Sequence, residues 1–228
     1  MLEDSFFERL ECYHSILVEL NILSVMAQSK SLPTLSATPF MVWRGIDVLR
    51  SRENDGRVTR AFKEALLSVW NKRMGLFVEV REGEVANIVP NGIKGALLDP
   101  RFSKMTQDKL GVAHVKIVND AIVTDTLLLL DDDEQETLVE SQLGPALQVV
   151  QSQMAKIEFP EQADPLAWWK NLSRSSNASY LSAVFLSARL YLSMPAGSSP
   201  SECVFSQTTD IVTKKRNSIG DGTLEKTV

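Results

Sequence analysis

Side chains that could act as nucleophiles, acids or metal ligands are few and scattered along this sequence. His14 and His114 each lie in a predicted helix without a second histidine or a carboxylate pair at metal-ligand spacing, so both are interpreted as structural. Cys12 and Cys203 form neither a zinc-binding pattern nor a Cys/His/Asn set for nucleophilic catalysis. These residue types predict no self-contained catalytic site and no metal site for this chain alone.

Two charged runs have structural interpretations. The acidic residues 131–134 lack the spacing of a calcium loop and precede a predicted helix, whose positive N-terminal dipole they would oppose. The basic run Lys214, Lys215 and Arg216 has two interpretations: it contacts DNA phosphates without reading sequence, or it covers the negative end of a solvated helix. Because the net charge is −5, any contact with nucleic acid is expected to be local.

Composition favours a soluble globular protein in a reduced, intracellular setting. Hydrophobic residues make up 44% of the chain and charged residues 23%, and the two cysteines suggest no disulfide framework. No apolar run approaches the ~20 residues of a membrane span. We therefore expect neither a membrane partner nor a small-molecule substrate.

The N-terminal third predicts a bundle of three helices with short connections and antiparallel packing. The first, over residues 3–29, carries apolar residues at steps of four and three, and this face needs a partner: Phe6, Leu10, Tyr13, Leu17 and Leu20. The second has an apolar face of Phe40, Trp43, Ile46, Val48 and Leu49. The third, over about 58–74, is predicted to turn inward Phe62, Leu66, Val69 and Trp70.

The remaining chain also predicts mainly helices. Residues 76–89 form a small hairpin or an irregular loop, and helices are expected over about 106–130 and 134–157. A linker at 158–164 places a domain boundary near residue 160, between regions 1–160 and 161–228. Beyond it we expect a short helix with a tryptophan pair, helices over about 180–192 and 201–216, and a last one at 223.

Five ordered motifs after residue 163 carry a resemblance to a known family. They are Asp164-Pro165-Leu166-Ala167-Trp168-Trp169, Tyr191-Leu192-Ser193-Met194-Pro195-Ala196, Ser198 to Ser206 with Ser201-Glu202, Ile211-Val212-Thr213-Lys214-Lys215-Arg216, and Leu224-Glu225-Lys226. This succession resembles the C-terminal dimerisation region of hAT-family DNA transposases. Upstream, Leu98-Asp99-Pro100-Arg101-Phe102 is similar to a motif of hAT proteins and of the BED-type zinc-finger host proteins derived from them.

The resemblance implies an RNase H-like catalytic fold, of which this chain would hold insertion or scaffold helices (1–160) and the C-terminal helical end (161–228). In that family two aspartates and one glutamate hold two divalent metal ions for phosphodiester transfer. The glutamate maps to Glu202, which could equally be an acid that only stabilises a helix start. No matching aspartates precede it, and Cys203 stands where the family has arginine. Mg or Mn is therefore expected only in a fully assembled catalytic domain.

The resemblance further implies a homodimer or higher homo-oligomer in the nucleus, with DNA reached through the full-length protein. The implied dimer-interface residues are Trp168, Trp169, Tyr191, Leu192, Phe205, Ile211, Val212 and Leu224. The tryptophans have an alternative role as plugs of a helical core. Three functions stay open: a transposase-derived dimerisation fragment without enzymatic activity, a subunit of an active transposase or nuclease completed by an N-terminal segment, and a domesticated nuclear regulatory protein.

Overall fold

A computed structural model describes residues 4–27, 35–83, 87–130, 140–160, 163–175 and 179–196. Within these residues the chain forms eight α-helices and no β-strand, so the prediction of a mainly helical protein is confirmed. In chain order the helices are α1 (Asp4–Ala27), α2 (Thr38–Leu49), α3 (Arg57–Met74), α4 (Asn91–Leu98), α5 (Ser103–Leu128), α6 (Glu140–Met154), α7 (Pro165–Ser175) and α8 (Ser179–Ser193). They belong to one compact unit spanning residues 1–196.

Helices α1, α2 and α3 pack against one another, as the sequence predicts. Pro39 stands in the first turn of α2, where its missing N–H costs no helical hydrogen bond. The α2–α3 contact depends on Gly45, because a Cβ atom there would lie 2.3 Å from the ring of Trp70. The Trp70 indole N–H donates to the Val42 carbonyl oxygen at 3.1 Å, which fixes the ring in this groove.

The buried stripe of α1 differs from the predicted one. Ile16 and Leu23 are buried, and Tyr13 and Leu20 are half-buried. The predicted inward residues Phe6, Leu10 and Leu17 are exposed, and so is Val69 of α3, so the prediction was wrong for these four. The periodicity misleads in α1 because apolar residues occur around most of its circumference, which leaves more than one possible buried stripe.

The described residues between 75 and 90 contain one backbone pairing of the hairpin type and no β-strand. A 3₁₀ turn, Gly75–Phe77, follows α3. Arg81 and Ile88 then form an isolated antiparallel bridge with reciprocal backbone hydrogen bonds of 3.1 and 2.8 Å. Residues 84–86 lie outside the described residues. The bridge leads directly into α4, a helix that the sequence did not predict.

The main core lies among α4, α5, α6, α7 and α8. Its fully buried side chains come from all five helices and include Ile93, Leu97, Val118, Ile122, Leu143, Leu147, Met154, Trp169, Ala188 and Leu192. Helices α7 and α8, beyond the predicted boundary near residue 160, thus share a core with helices that precede it. The division into regions 1–160 and 161–228 stays a prediction.

Helix α5 contains a sharp break at Gly111, whose φ of 75° and ψ of 166° are non-helical. This left-handed backbone conformation is one that glycine adopts without steric cost. The break divides α5 into a short first segment and a longer segment that carries Val118 and Ile122 into the core. Helix α6 is described from residue 140, so the predicted acidic cap at 131–134 lies outside the described residues.

Candidate functional site

Trp169 anchors α7 in the main core. Helix α7 begins at Pro165, and the preceding Asp164 carboxylate accepts the backbone N–H of Leu166 at 2.9 Å. Trp169 is fully buried, and its indole N–H donates to the Leu98 carbonyl oxygen at 2.8 Å. Because Leu98 ends α4, its carbonyl has no partner within that helix. The tryptophan therefore caps α4 as well as filling the core.

Trp168 has a different environment from its neighbour. Its side chain is half-buried against the main core, and its ring meets Trp169 edge to face at a centroid distance of 5.3 Å. Adjacent residues of a helix point about 100° apart, so one tryptophan enters the core while the other lies at its edge. Trp168 is the member of the pair that stays partly accessible.

Tyr191 and Leu192 of α8 are buried within the chain. The Tyr191 hydroxyl donates to the Asp125 carboxylate of α5, which also accepts the Lys94 ammonium of α4 at 2.7 Å. Burial, followed by the hydrogen bond from Tyr191 to the negative Asp125, raises the pKa of the Tyr191 phenol well above its ordinary value. These contacts tie three helices at one polar point, which is partly buried.

The Leu-Asp-Pro-Arg-Phe motif forms a second buried polar point. The side chains of Asp99 and Arg101 are almost completely buried, and the Arg101 guanidinium donates to both Asp99 carboxylate oxygens, from Nε to Oδ1 at 2.9 Å and from Nη2 to Oδ2 at 2.6 Å. Ser36 adds a hydrogen bond of 2.6 Å from its hydroxyl to Asp99. The backbone N–H of Leu35 donates to the carbonyl of Met194 at 3.3 Å. The motif thus lies where the entry to α2 meets the end of α8.

Two further buried polar pairs connect α5 to its neighbours. Asn119 of α5 and Gln151 of α6 exchange amide hydrogen bonds of 3.1 and 2.8 Å. The hydroxyls of Thr126 on α5 and Ser187 on α8 hydrogen-bond to each other. Because each polar group has a partner, these pairs fix the register of the helices without leaving unsatisfied groups.

Sequence reasoning did not identify these polar pairs as a group. The one available signal was the interruption of the apolar run 122–130 by Thr124, Asp125 and Thr126, which places polar atoms within a buried stretch. The long-range partners of Asp125 and Thr126 are 31 to 66 residues away in sequence, and helical periodicity carries no information about such distances.

Four of the predicted interface residues lie within the described part of the chain. Trp169, Tyr191 and Leu192 are covered by other parts of the same chain, whereas Trp168 keeps an accessible edge. Their role in a dimer interface stays a prediction. Other exposed apolar side chains on this part of the chain are Val149 of α6, Ile157 shortly after α6, and Leu186 of α8.

The other predicted site residues lie outside the described residues. They are the candidate catalytic Glu202, the interface candidates Phe205, Ile211, Val212 and Leu224, and the DNA-binding candidates Lys214, Lys215 and Arg216. The helices predicted over about 201–216 and at 223 lie outside them too. These predictions stay predictions.

The described part of the chain does not fit a two-metal catalytic centre. Among these residues no group of three or more His, Cys, Asp and Glu side chains is arranged to hold a metal ion. Two-metal phosphodiester chemistry requires several carboxylates around one point, so no catalytic step is assigned to these residues. Within the same residues, no helix is long and apolar enough to cross a membrane.

Comparison with known families assigns the C-terminal part of the chain. Residues 146–228 match the family described as the hAT family C-terminal dimerisation region. No curated protein matches the chain. The matched segment includes most of α6 and all of α7 and α8, and it contains each of the five ordered motifs. The C-terminal part of this protein is a hAT-type, transposase-derived dimerisation region, and the resemblance predicted from its motifs is confirmed.

Proposed function

We propose that this chain acts in self-association, as the dimerisation-bearing part of a protein related to hAT transposases. The observation that carries the proposal is the match of residues 146–228 to the dimerisation region of that family. Two copies of the chain would associate through this region. The helices before residue 146 would serve as its scaffold.

The packing of the described helices supports such a scaffold. Trp169 joins α7 to the end of α4, and the Tyr191–Asp125–Lys94 cluster joins α8 to α5 and α4. A surface held on rigid elements loses less conformational entropy on binding than a mobile one. The accessible edge of Trp168 and the exposed side chain of Leu186 are positioned by helices fixed in this way.

We further infer a nuclear protein whose full-length form reaches DNA and contains an RNase H-like catalytic domain. Lys214, Lys215 and Arg216 would contribute phosphate contacts that depend on salt and not on sequence. Glu202 would stand at the family's ligand position. Mg or Mn would be bound only after other segments supplied the two aspartates, so the chain alone would not cleave DNA.

The proposal is tested by substitutions inside the matched region. Leu186→Glu changes an exposed residue of α8, and Phe205→Glu changes a predicted interface residue. A matched control is Val112→Glu, because Val112 is 90% exposed and lies outside residues 146–228. Light scattering across a dilution series gives the molar mass and the dissociation constant of each variant.

We expect at least one of the two substitutions to weaken association about tenfold or more, because a charge placed in a desolvated contact loses hydration. The Val112→Glu control should associate like the unsubstituted chain. The proposal is overturned if the unsubstituted chain is monomeric at all concentrations, or if both substitutions leave the dissociation constant unchanged.

A further inference from the structure

The Leu-Asp-Pro-Arg-Phe motif lies outside the matched dimerisation region, yet its carboxylate has a dense set of hydrogen bonds. Asp99 Oδ1 accepts the backbone N–H of Arg101 at 3.0 Å and its Nε at 2.9 Å. Asp99 Oδ2 accepts Arg101 Nη2 at 2.6 Å and the Ser36 hydroxyl at 2.6 Å. We call these three residues the Asp99 cluster. Both oxygens of the carboxylate are thus engaged by two separate parts of the chain.

Stability alone is a weak reason for such a cluster. The side chains of Asp99 and Arg101 are 0% and 2% exposed, and the Ser36 residue is 0% exposed. A buried ion pair is often no more stabilising than apolar side chains of similar volume, because both charges lose their hydration. What a two-point contact between guanidinium and carboxylate does supply is a defined geometry. The cluster therefore fixes the position of Ser36 relative to the end of α4.

The segment that contains Ser36 also holds the end of α8. The backbone N–H of Leu35 donates to the carbonyl oxygen of Met194, which directly follows α8, at 3.3 Å. Carbonyl groups at a helix end lack partners within the helix, so this bond supplies one from another part of the chain. Gly95 of α4 permits the close approach: a Cβ atom there would lie 3.5 Å from the Ser36 Cα and 3.6 Å from the Tyr191 Cβ. The geometry of the cluster is thereby passed to the last turn of α8.

The end of α8 matters for association because the dimerisation region continues beyond it. The first compact unit ends at residue 196, and the family match runs on to residue 228. Four of the predicted interface residues follow in that stretch: Phe205, Ile211, Val212 and Leu224. The path by which the chain reaches them starts from the last turn of α8.

We propose that the Asp99 cluster is a positioning site for self-association. Through residues 35 and 36 it holds the last turn of α8 in one position, so that the dimerisation region starts from a fixed point. A surface on a fixed element loses less conformational entropy on binding than a mobile one. This inference rests on the proposed function and adds to it a role for residues that precede the matched region.

Ser36→Ala in the full chain tests the role of the cluster. The substitution removes one hydrogen bond to Asp99, adds no atoms and leaves the Asp99–Arg101 ion pair in place. We expect the dissociation constant from light scattering to rise about three- to tenfold, the cost of ordering roughly one additional group on association. Hydrogen exchange measured by mass spectrometry should become faster in peptides from residues 188–196, which report on the end of α8 directly.

Trp70→Phe is the matched control for a general loss of stability. It removes the hydrogen bond of 3.1 Å from the indole to the Val42 carbonyl oxygen, which joins α2 to α3 outside the matched region. Circular dichroism and urea denaturation establish that both variants are folded and how much unfolding free energy each has lost. We expect Trp70→Phe to leave unchanged both the dissociation constant and the exchange of residues 188–196.

Two results would overturn the positioning role. One is a dissociation constant for Ser36→Ala equal to that of the unsubstituted chain; the other is an equal rise for Trp70→Phe. If the chain associates and responds to Leu186→Glu or Phe205→Glu but not to Ser36→Ala, this inference fails and the proposed function stands. A chain that is monomeric at every concentration removes both.

Discussion

Replacing Trp169 by phenylalanine tests whether this tryptophan is a core residue that caps α4. The indole N–H donates to the buried Leu98 carbonyl at 2.8 Å, and phenylalanine offers no donor. Leaving a buried acceptor unsatisfied costs about 1–3 kcal/mol. The smaller ring also leaves a cavity of some tens of Å³, which adds about 1 kcal/mol. We therefore expect a loss of about 2–4 kcal/mol in the free energy of unfolding.

Urea denaturation followed by circular dichroism at 222 nm measures this loss, because the helical signal does not depend on which tryptophan is present. For a chain of this size the loss corresponds to a fall in Tm of roughly 4–16 °C. Trp168→Phe is the matched control: Trp168 is half-buried at the edge of the core, and we expect a loss under about 1 kcal/mol. Equal losses for the two variants would refute the assignment of Trp169 as the buried member of the pair.

Three further predictions concern the polar points and the surface tryptophan. Asp99→Asn removes the negative charge from a pair whose side chains are almost fully buried, so we expect the free energy of unfolding to fall by about 3 kcal/mol or more. Arg81→Gln is the control at the exposed Arg81–Glu79 pair and should leave the urea midpoint unchanged. Equal urea midpoints for the two variants would contradict the importance of the buried pair. Because the Tyr191 phenol has a raised pKa, its stabilising contribution is present below the ordinary tyrosine pKa of about 10 and is lost as pH rises above it. The unfolding free energy of Tyr191→Phe should therefore fall less steeply above pH 10 than that of the unsubstituted chain, and identical slopes would count against a buried, neutral phenol. Trp168→Ala should weaken self-association in light scattering while the helical signal is retained, and an unchanged dissociation constant in the folded variant would remove Trp168 from the interface.

Long helices with a clear apolar pattern could be predicted from the sequence, whereas the side that each helix turns toward the core was harder to predict. Helix α3 was predicted nearly to the residue, α2 contains the five residues predicted for the second helix, and α8 matches the predicted helix at 180–192. The orientation of α1 was wrong because apolar residues on several sides of a helix do not determine which side faces the core. The long-range contacts of Ile16 and Leu23 select the side that is buried.

Helix α4 could not be predicted because its local sequence disfavours a helix. It has eight residues and contains Gly92 and Gly95, each of which costs about 1 kcal/mol relative to alanine. It forms because tertiary packing outweighs propensity: Ile93, Leu97 and Leu98 are fully buried in the main core. Gly92 and Gly95 also fit close to the entry of α2, since Cβ atoms there would lie 3.3 Å from the Leu35 carbonyl and 3.5 Å from Ser36.

The motifs of the candidate site could be predicted from the sequence, but the three-dimensional arrangement of their side chains could not. The order of motifs after residue 163 identified the dimerisation region, and the family match over 146–228 confirms it. The two neighbouring tryptophans differ in role because α7 turns only one of them toward Leu98. That choice depends on a contact across 71 residues of sequence, which no local pattern encodes.

The most direct test of the account is the molar mass of the purified chain, measured by light scattering across a dilution series. We expect a molar mass of at least twice the 25.4 kDa of a single chain at the higher concentrations. A mass of 25.4 kDa at every concentration would contradict it, because the dimerisation region would then not associate in this chain.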